Sequence, residues 1–470
     1  MITLRRRLKC PRDQPSSAPP SGRNIVQTSN FSKRPNFAPV SAGEWRVGCA
    51  AVPTFETITA LPFAALAGGA GLGLLLFLWT SSLVKVLRRT DSPPEFTLDA
   101  TSALDALPSP APSLSIVVPA RNEVANIEAC IAAALAIDWP GPLELVVVDD
   151  RSTDGTTEIL QRLSAVEPRL RVVPGADPPE GWLGKPHALH LAQREVKGDY
   201  LLFVDADVRL YPEGPRRLLG RVIAQGAEVA SALGFLRVDS FWERVIQTRL
   251  GAIIAGGNPL PEVNDPDHER ALANGQCLLF SRAAYDRLGG HEAIKGSVLD
   301  DVDFAKRAKA MKAVYRLYHG PAVFECRMYT GFREIWNGWT KNLFPALSYS
   351  LVATAIVTTL LFASGVLPFV LLGKNLLALA TDQPYEPVFL TMEAVLCALM
   401  YLTDAVGHAR HGYRWTAFWT LPLGMSLVIA IFWNSAIRIT SGRGAVWKGR
   451  VVERGRPKPK AVVEPIVEPD

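Results

Sequence analysis

Short apolar runs alternate with amphipathic stretches between residues 114 and 325. The apolar runs predict four buried strands, at Leu114–Val118, Leu143–Val148, Leu170–Val173 and Tyr200–Val204. The stretches between and after them predict helices at Asn126–Ala136, Gly155–Val166, His187–Glu195 and Pro212–Gln225. Alternation of strand and helix predicts an α/β fold, in which a mostly parallel sheet is covered by helices on both faces.

Long apolar segments lie on both sides of this region. From about Ile58 to Val86 the chain has no charge before Lys85, and that length can span a bilayer. Three further membrane segments are predicted at Leu351–Leu372, about Pro387–Leu402 and about Trp415–Ile437. The middle one is short and contains Glu393. Tyr329–Asn342 mixes aromatic and charged residues, which fits either a helix lying on the membrane or an ordinary surface helix.

These patterns divide the chain into five parts. We expect a disordered tail (1–55), a transmembrane segment (58–87), an α/β domain (113–345), a membrane region with about three hydrophobic segments (346–440) and a basic cytosolic tail (441–470). The basic start is not followed by the apolar core of a signal peptide, so a cleaved secretory signal is not expected. Basic clusters occur at residues 5–12, 88–89, 408–414 and 438–450, and the positive-inside rule would place all of them in the cytosol. Four simple crossings cannot achieve that, so a re-entrant or in-plane apolar segment, or a translocated N-terminal tail, is required.

Composition agrees with a membrane protein. The chain is 48% hydrophobic and 20% charged, with a mean hydropathy of +0.13, which is more apolar than usual for a soluble protein. A formal net charge of +5 over 470 residues gives no basis for nucleic-acid binding. The cysteines show no CxxC pair and no zinc-site spacing, so buried, reduced thiols are expected. They are Cys10, Cys49, Cys130, Cys277, Cys326 and Cys397.

Carboxylates directly follow two of the predicted strands. Asp149 and Asp150 come after the second strand, and Asp205 and Asp207 after the fourth. Ligands of an open parallel sheet bind outside the carboxyl ends of its strands. Asp149 or Asp150 can accept hydrogen bonds there from a nucleotide base or ribose, or simply cap the next turn. The spacing of Asp205 and Asp207 lets both approach one divalent cation, although such a pair also occurs by chance in acidic loops.

Two further stretches are suited to group transfer. Asp300 and Asp301 begin a predicted helix, Asp301–Lys312, where a carboxylate can take a proton from an acceptor hydroxyl or can serve only to stabilise the helix start. Gly184 and Lys185 lie in a glycine-containing stretch that suits a loop approaching phosphate. Each motif alone is weak, whereas their order along the chain is much less frequent by chance.

Together these motifs resemble those of family 2 glycosyltransferases over about residues 113–345. The resemblance is carried by Val117-Val118-Pro119-Ala120-Arg121-Asn122-Glu123, Val147-Val148-Asp149-Asp150-Arg151-Ser152-Thr153-Asp154-Gly155-Thr156, Gly184-Lys185, Asp205-Ala206-Asp207 and Asp300-Asp301. It implies a single Rossmann-like nucleotide-sugar-binding domain of the GT-A type, flanked here by transmembrane helices. It also implies inverting transfer from a UDP- or GDP-sugar, usually with Mn²⁺ or Mg²⁺.

The resemblance also implies roles for individual residues. Asp205 and Asp207 would hold the metal. Asp301 would be the catalytic base, and its neighbour Asp300 would be the second catalytic residue. The family often has Glu-Asp where this chain has Asp300-Asp301. The implied nucleotide-sugar-binding residues are Pro119, Ala120, Arg121, Glu123, Asp149, Asp150, Lys185, Asp205, Ala206 and Gln276. Gln276 would line the acceptor or sugar side.

One departure from the family pattern narrows the expected acceptor. Processive polysaccharide synthases have Gln-x-x-Arg-Trp after the catalytic acid, whereas this chain has Arg327-Met328-Tyr329 and Gly338-Trp339-Thr340-Lys341. These stretches, with Trp447-Lys448-Gly449-Arg450, resemble the branch of carotenoid and hopene-associated glycosyltransferases. We therefore expect a hexosyltransferase acting on a membrane lipid, integral to a bacterial inner membrane, with a cytosolic catalytic domain. The alternatives are a processive synthase and a catalytically silent membrane scaffold.

Overall fold

The computed structural model of this protein describes residues 63–88, 93–447 and 450–452. The expected N-terminal tail (1–55) and most of the expected C-terminal tail lie outside the described residues. The strands are β1 Leu114–Ala120, β2 Leu143–Asp149, β3 Leu170–Pro174, β4 Tyr200–Val204, β5 Val208–Leu210, β6 Val229–Leu233, β7 Phe235–Leu236, β8 Cys277–Ser281, β9 Tyr315–His319, β10 Phe324–Cys326, β11 Ala445–Trp447 and β12 Arg450–Val452.

The main sheet has seven strands in the order β3-β2-β1-β4-β8-β6-β9. β3, β2, β1 and β4 are parallel, with Val117 opposite Val146 on β2 and Phe203 on β4. β8 is antiparallel to both of its neighbours, so the predicted parallel sheet is mixed at this point. The four predicted strands are confirmed. A small sheet, β5-β10-β7, lies beside the main one, and β11 pairs with β12.

Helices follow the strands as the periodicity predicts. Those of the α/β region are α2 Ile127–Leu135, α3 Thr156–Ser164, α4 Gly184–Gln193, α5 Gly214–Ala224, α6 Thr248–Gly257, α7 Leu260–Asn264, α8 Arg282–Arg287 and α9 Asp300–Ala310. A turn of π-helix, Glu243–Gln247, leads into α6. Gly155 begins α3 with φ 97°, a left-handed conformation that glycine adopts without a steric penalty.

The core forms two layers, one on each face of the sheet. Ile116 and Val118 of β1 are buried in one layer, and Val117 between them is buried in the other. This alternation follows from the two-residue period of a strand. The sheet is therefore covered on both faces, as predicted, and the α/β fold with flanking apolar helices is confirmed.

The apolar segments form the helices α1 Phe63–Arg88, α10 Phe332–Ala346, α11 Leu351–Gly365, α12 Leu367–Ala380, α13 Pro387–Arg410 and α14 Leu421–Thr440. In the described part of the chain, three helices are long and apolar enough to cross a membrane. They are α1, α13 and α14 together with the turn before it. A fourth crossing is possible if α10 and α11, which meet at a bend of 117°, form one broken span.

The prediction of one continuous span at Leu351–Leu372 is wrong. Helix α11 ends at Gly365 and α12 begins at Leu367. Pro368 has no N–H to donate to the carbonyl of Ser364, so the helix is interrupted there. That carbonyl instead accepts a hydrogen bond from Trp79 Nε1 of α1, at 3.2 Å. The predicted short segment at Pro387–Leu402 is also longer than expected, because α13 continues to Arg410.

An ion pair between a partly exposed arginine and a buried glutamate lies where the α/β region meets the apolar helices. Arg327 binds both carboxylate oxygens of the fully buried Glu243, with Nε–Oε1 at 2.9 Å and Nη2–Oε2 at 3.1 Å. The backbone N–H groups of Asp239 and Ser240 also donate to Glu243. Burial opposes ionisation, but the bonds from Arg327 and Ser240 hold the pKa of Glu243 below its ordinary value. Arg327 therefore fixes the π-helical turn.

Replacing Arg327 with glutamine should destabilise the protein by about 1–3 kcal/mol, because a buried carboxylate loses its charged partner. The thermal unfolding midpoint in detergent measures this loss. Arg333→Gln is the matched control, since Arg333 is exposed in the first turn of α10. Equal midpoints for the two variants would show that the ion pair does not stabilise the junction.

Candidate active site

Two loops at the carboxyl ends of β1 and β2 are hydrogen-bonded to each other. Asn122 and Arg151 both adopt positive φ, 51° and 57°, which is uncommon for residues other than glycine. The backbone N–H of Asn122 donates to Ser152 Oγ at 3.0 Å, and that of Thr153 donates to Asn122 Oδ1 at 2.9 Å. The loops thus form a pre-organised rim at the strand ends.

The predicted nucleotide-side residues lie on this rim. Asp149 is 7% exposed and accepts from Ser152 N at 3.0 Å and Thr157 Oγ1 at 2.5 Å. Arg121 Nη1 donates to the carbonyl of Asp150 at 2.6 Å and lies 3.9 Å from its carboxylate. Burial raises the pKa of Asp150, and the charge of Arg121 opposes the rise. Much of the hydrogen-bonding capacity of Asp149 is therefore used to hold the loop.

Pro119, Ala120 and Glu123 complete this side. Pro119 reaches the central pocket, whereas Ala120 is buried and its carbonyl accepts from Asp150 N at 2.8 Å. Glu123 Oε2 accepts from Asn126 Nδ2 at 3.1 Å on the far side of the loop.

Lys185 joins carboxylates from two other elements. Its Nζ is 2.8 Å from Asp205 Oδ1, after β4, and 3.6 Å from Asp300 Oδ2, at the start of α9. The predicted loop around Gly184 and Lys185 is wrong, because both residues form the first turn of α4. A helix start presents unbonded N–H groups and a partial positive charge, so this turn remains suited to an anion.

Asp301 lies next to this cluster with its carboxylate held by backbone. Its Oδ2 accepts from Gly275 N at 2.7 Å, and its Oδ1 accepts from Val302 N at 2.8 Å. A Cβ at position 275 would lie 3.3 Å from both Asp301 Oδ2 and Lys185 Nζ, so the glycine allows this close approach. Burial and then the charge of Asp300 raise the pKa of Asp301 to about 6, and Lys185 limits the rise.

These groups line one pocket. Its lining residues are Pro119, Lys185, Leu189, Phe203, Val204, Asp205, Gly275, Leu278, His291 and Asp300. The structure thus brings together four predicted residues, Pro119, Lys185, Asp205 and Asp300, with Asp301 bonded to the lining residue Gly275. Gln276 is outside this lining, because its Nε2 donates to Cys326 Sγ at 3.0 Å beneath the site.

Asp205 and Asp207 flank the buried Ala206 in a tight turn, closed by Val208 N donating to Asp205 O at 3.1 Å. No group of three or more His, Cys, Asp or Glu side chains able to hold a metal occurs among the described residues. Two carboxylates nevertheless suit a Mg²⁺-type ion, because such ions are commonly held by one or two carboxylates together with substrate phosphates. The donor set therefore fits a cation that is bound jointly with a diphosphate.

The sequence reasoning missed His291. It is 1% exposed, and its Nδ1 lies 2.6 Å from the hydroxyl of Tyr285. Its ring packs edge-on against Phe203 at 4.8 Å between centroids and borders the pocket behind Lys185. Gly289 and Gly290, both at positive φ, mark the turn before it, but no spacing pattern links this histidine to the site.

Comparison with known proteins agrees with this geometry. Residues 115–289 match the family model described as Glycosyl transferase family 2. Over 235 residues the chain is 26% identical to 4,4'-diaponeurosporenoate glycosyltransferase of Staphylococcus aureus (strain bovine RF122 / ET3-1), covering 49% of this chain and 60% of that protein. The same protein from strain USA300 gives the same values. The chain thus spans less than two thirds of the length of these curated relatives.

Solved structures show partial likeness. The mannosyltransferase PcManGT from Pyrobaculum calidifontis, in complex with GDP-Man and Mn²⁺, aligns with TM-score 0.44 and 19% identity over 78% of this chain and 97% of that chain. Glucosyl-3-phosphoglycerate synthase from Mycobacterium tuberculosis aligns with TM-score 0.33 and 21% identity, over 51% and 79%.

The strand-end carboxylates, the lysine between them and the acid at the start of α9 all belong to one α/β domain, and most of them lie within the matched segment. Residues 115–289, which match the glycosyl transferase family 2 model, are thus set between apolar helices that are long enough to cross a membrane.

Proposed function

We propose that this protein transfers a hexosyl group, with inversion, from a nucleotide-sugar donor to a lipid acceptor in the membrane. The observation that carries the proposal is the cluster of Lys185, Asp205 and Asp300 beside Asp301. A cation suited to a diphosphate lies there next to a partly buried carboxylate, and the pKa of that carboxylate suits proton transfer near neutral pH.

The donor would lie along the carboxyl ends of the strands. The rim of Arg121, Asp149 and Asp150 would contact the base and ribose of a UDP- or GDP-sugar. Lys185 and the first turn of α4 would face the diphosphate, because ammonium and helix N–H groups both favour anionic oxygen. In this arrangement the sugar would point toward the pocket that Asp205, Gly275 and Asp300 line.

Asp301 would act as the general base. With a pKa of about 6 its carboxylate is mostly ionised at pH 7. It would take the proton from the acceptor hydroxyl while the oxygen attacks the anomeric carbon from the face opposite the diphosphate. The bond from that carbon to the diphosphate oxygen breaks, and the bond to the acceptor oxygen forms. Asp300 and Lys185, whose charged groups lie 3.6 Å apart, would set the charge that Asp301 experiences.

Asp205 and Asp207 would hold the divalent cation, Mn²⁺ or Mg²⁺. When bound, such an ion neutralises charge on the diphosphate and improves it as a leaving group. The fit of two adjacent carboxylates with substrate phosphates supports this assignment.

The names of the similar proteins and the apolar helices beside the site support an apolar acceptor. The similar proteins from Staphylococcus aureus are named for a carotenoid-type acid, diaponeurosporenoate. Helix α10 leaves the α/β domain and is bonded to the apolar helix α14, so the site lies close to the apolar helices. In the described part of the α/β domain Cys130, Cys277 and Cys326 are free and buried, which agrees with a cytosolic domain.

A donor screen on purified protein in detergent or lipid tests the proposal. Release of UDP or GDP should require Mn²⁺ or Mg²⁺, stop with EDTA and rise when membrane lipid extract is added. Asp207→Asn should lower the rate about a hundredfold, because one charged group that stabilises the leaving diphosphate is weakened. Asp303→Asn is the control, since the Asp303 side chain is 44% exposed on α9, where it binds Ser297 Oγ and lies 3.7 Å from Lys306 Nζ. Folded protein that releases no nucleotide from any donor would instead favour a silent scaffold.

A further inference from the structure

Both halves of the apolar helix α14 are attached to elements that leave the α/β domain. Near its start, a Cβ at Gly424 would overlap the carbonyl of Val245 in the π-helical turn, so the two backbones touch there. Near its end, Asn434 Nδ2 donates to Thr340 Oγ1 of α10 at 2.8 Å, and Ser435 Oγ donates to the carbonyl of Thr340 at 2.5 Å. These attachments are about 15 Å apart along the helix. Helix α14 therefore lies lengthwise against the junction with the domain.

The buried positions of α14 form one stripe along its whole length. They recur every three or four residues, as one face of a helix does, and are Leu421, Gly424, Met425, Val428, Ile431, Phe432, Ser435, Ala436 and Ile439. The middle of the stripe packs into the cluster that contains Val245 and Tyr329, at the junction with the α/β domain. The opposite face is largely apolar and exposes Leu423, Trp433 and Ile437. One side of α14 thus faces protein from end to end, and the other side presents an apolar surface.

Helix α11 lies beside α14 in the opposite direction. Its last residue reaches the first turns of α14, because a Cβ at Gly365 would meet the side chain of Met425. Its first residues follow Tyr349, which packs against Phe344 of α10 and Ile439 in the last turn of α14. Helix α11 therefore begins close to α10 and runs along α14 toward the start of that helix.

Helices α12 and α13 form a separate antiparallel pair. Asn375 Nδ2 of α12 donates to Glu393 Oε2 of α13 at 2.8 Å, and the rings of Phe369 and Tyr401 lie 5.0 Å apart. Later residues of α12 thus meet earlier residues of α13, as in a hairpin whose turn is formed by residues 381–386. A polar hydrogen bond between two apolar helices is typical of helices that pack against each other inside a bilayer.

The segments before and after α14 are both basic and both close to the α/β domain. Before the helix, Tyr413 stacks on Phe235 of β7 with 5.7 Å between ring centroids, and Arg414 follows. After it, β11 packs against α10, and this part of the chain contains Arg438 and Arg443. Basic residues next to membrane helices concentrate on one side of the bilayer. If α14 crossed, about 30 Å of hydrocarbon would separate the two basic segments.

We propose that α14 lies in the plane of the membrane, on the side that holds the α/β domain, and that its exposed apolar face contacts lipid. Helix α11 lies beside it in the same layer, and the helices that cross are α1, α12 and α13. The surface that covers this face is the boundary between headgroups and acyl chains, because the arginines at both ends suit anionic headgroups and the apolar side chains suit the acyl region. The basic segments 408–414 and 438–450 then lie on one side of the membrane. This inference is independent of the proposed function, since it concerns the orientation of a helix and not a reaction.

Single cysteines in place of Thr416, Ser441 and Gln383 show on which side of the membrane each segment lies. These exposed residues are located before α14, after it, and in the turn between α12 and α13. Each cysteine is introduced into the full-length protein carrying Cys10→Ser and Cys49→Ser, and a membrane-impermeant maleimide is added to sealed vesicles of either orientation, with that background protein as the blank. Thr416→Cys and Ser441→Cys should be labelled from one side, and Gln383→Cys from the other. Labelling of Ser441→Cys from the side of Gln383→Cys would overturn the proposal, because α14 would then cross.

A second measurement separates an in-plane helix from one that enters the bilayer and returns. Nitroxides on introduced cysteines report depth through the relaxation caused by oxygen and by a water-soluble nickel complex. The labelled positions are exposed and about two helical turns apart, at Leu423, Ala430 and Ile437 of α14 and, as the matched crossing control, at Val388, Val395 and Leu402 of α13. Two turns rise about 11 Å, so the middle label of α13 should lie about 10 Å deeper than the outer two. The three labels of α14 should share one depth of about 5–10 Å. A middle label in α14 as deep as that of α13 would overturn the proposal.

Discussion

Replacing Asp301 with asparagine is expected to lower kcat for glycosyl transfer by about a hundredfold to ten thousandfold, with little change in the KM for the donor. The amide has nearly the shape of the carboxylate. In the wild-type protein Asp301 Oδ2 accepts a hydrogen bond from Gly275 N at 2.7 Å, and the amide oxygen can still accept that bond. It cannot take a proton from the acceptor. Initial rates at saturating donor and acceptor near pH 8, well above the pKa of about 6, measure the effect.

The thermal unfolding midpoint of the Asp301→Asn variant serves as the control that the variant is folded. The pKa of Asp301 in the folded protein, about 6, is above its ordinary value of 3.8. The folded state therefore binds this proton more strongly than the unfolded state, and the stability from this group is lost as pH rises from about 4 to 6. A neutral asparagine avoids that loss, so the unfolding midpoint at pH 8 should be equal or higher. Wild-type kcat in a folded Asp301→Asn protein would remove Asp301 as the base and direct attention to Asp300.

The strands that carry the site could be predicted because their signal is local. β1, β2 and β4 are short apolar runs with one layer of the core on each face. Acids placed immediately after such runs must lie at the carboxyl edge of the sheet, and this placement does not depend on how the helices pack. The positions of Asp149 and Asp205 therefore followed from the apolar pattern alone.

Other parts of the site depend on contacts between distant segments. β8 lies between β4 and β6 and runs antiparallel to both, and this arrangement brings Gly275 to Asp301. No periodicity in the chain indicates that pairing. His291 likewise reaches the pocket through a turn whose packing is set elsewhere.

The wrong predictions have identifiable physical causes. Gly184 and Lys185 are predicted as a loop because glycines near a lysine suit an approach to phosphate, but a glycine at the start of a helix does not prevent the helix from forming. The span at Leu351–Leu372 was predicted from apolar length, which does not register the donor lost at Pro368. The bond from Trp79 to Ser364 makes the break tolerable, and that bond joins segments 285 residues apart.

Lys185→Met and Asp300→Asn are expected to shift the pH dependence of transfer in opposite directions. Burial and the charge of Asp300 raise the pKa of Asp301, whereas the charge of Lys185 lowers it. Loss of Lys185 should move the acid limb of kcat to higher pH, and loss of Asp300 should move it to lower pH, each by about one unit. Lys185→Met should also lower kcat/KM about a hundredfold, because the diphosphate loses a cation. Rates between pH 5 and 9 with saturating metal measure both effects.

Lys306→Met and Asp303→Asn are the matched controls, because they make the same changes of charge on the exposed part of α9. Neither should move the acid limb by more than a small fraction of a unit, since exposed charges are screened by solvent and salt. A shift in the same direction for Lys185→Met and Asp300→Asn would contradict Asp301 as the titrating group. Complete loss of transfer in Asp300→Asn with a retained rate in Asp301→Asn would exchange the two roles. Opposite shifts would show that the base experiences both neighbours at once, as the distances of 2.8 and 3.6 Å from Lys185 to Asp205 and Asp300 imply for one compact cluster.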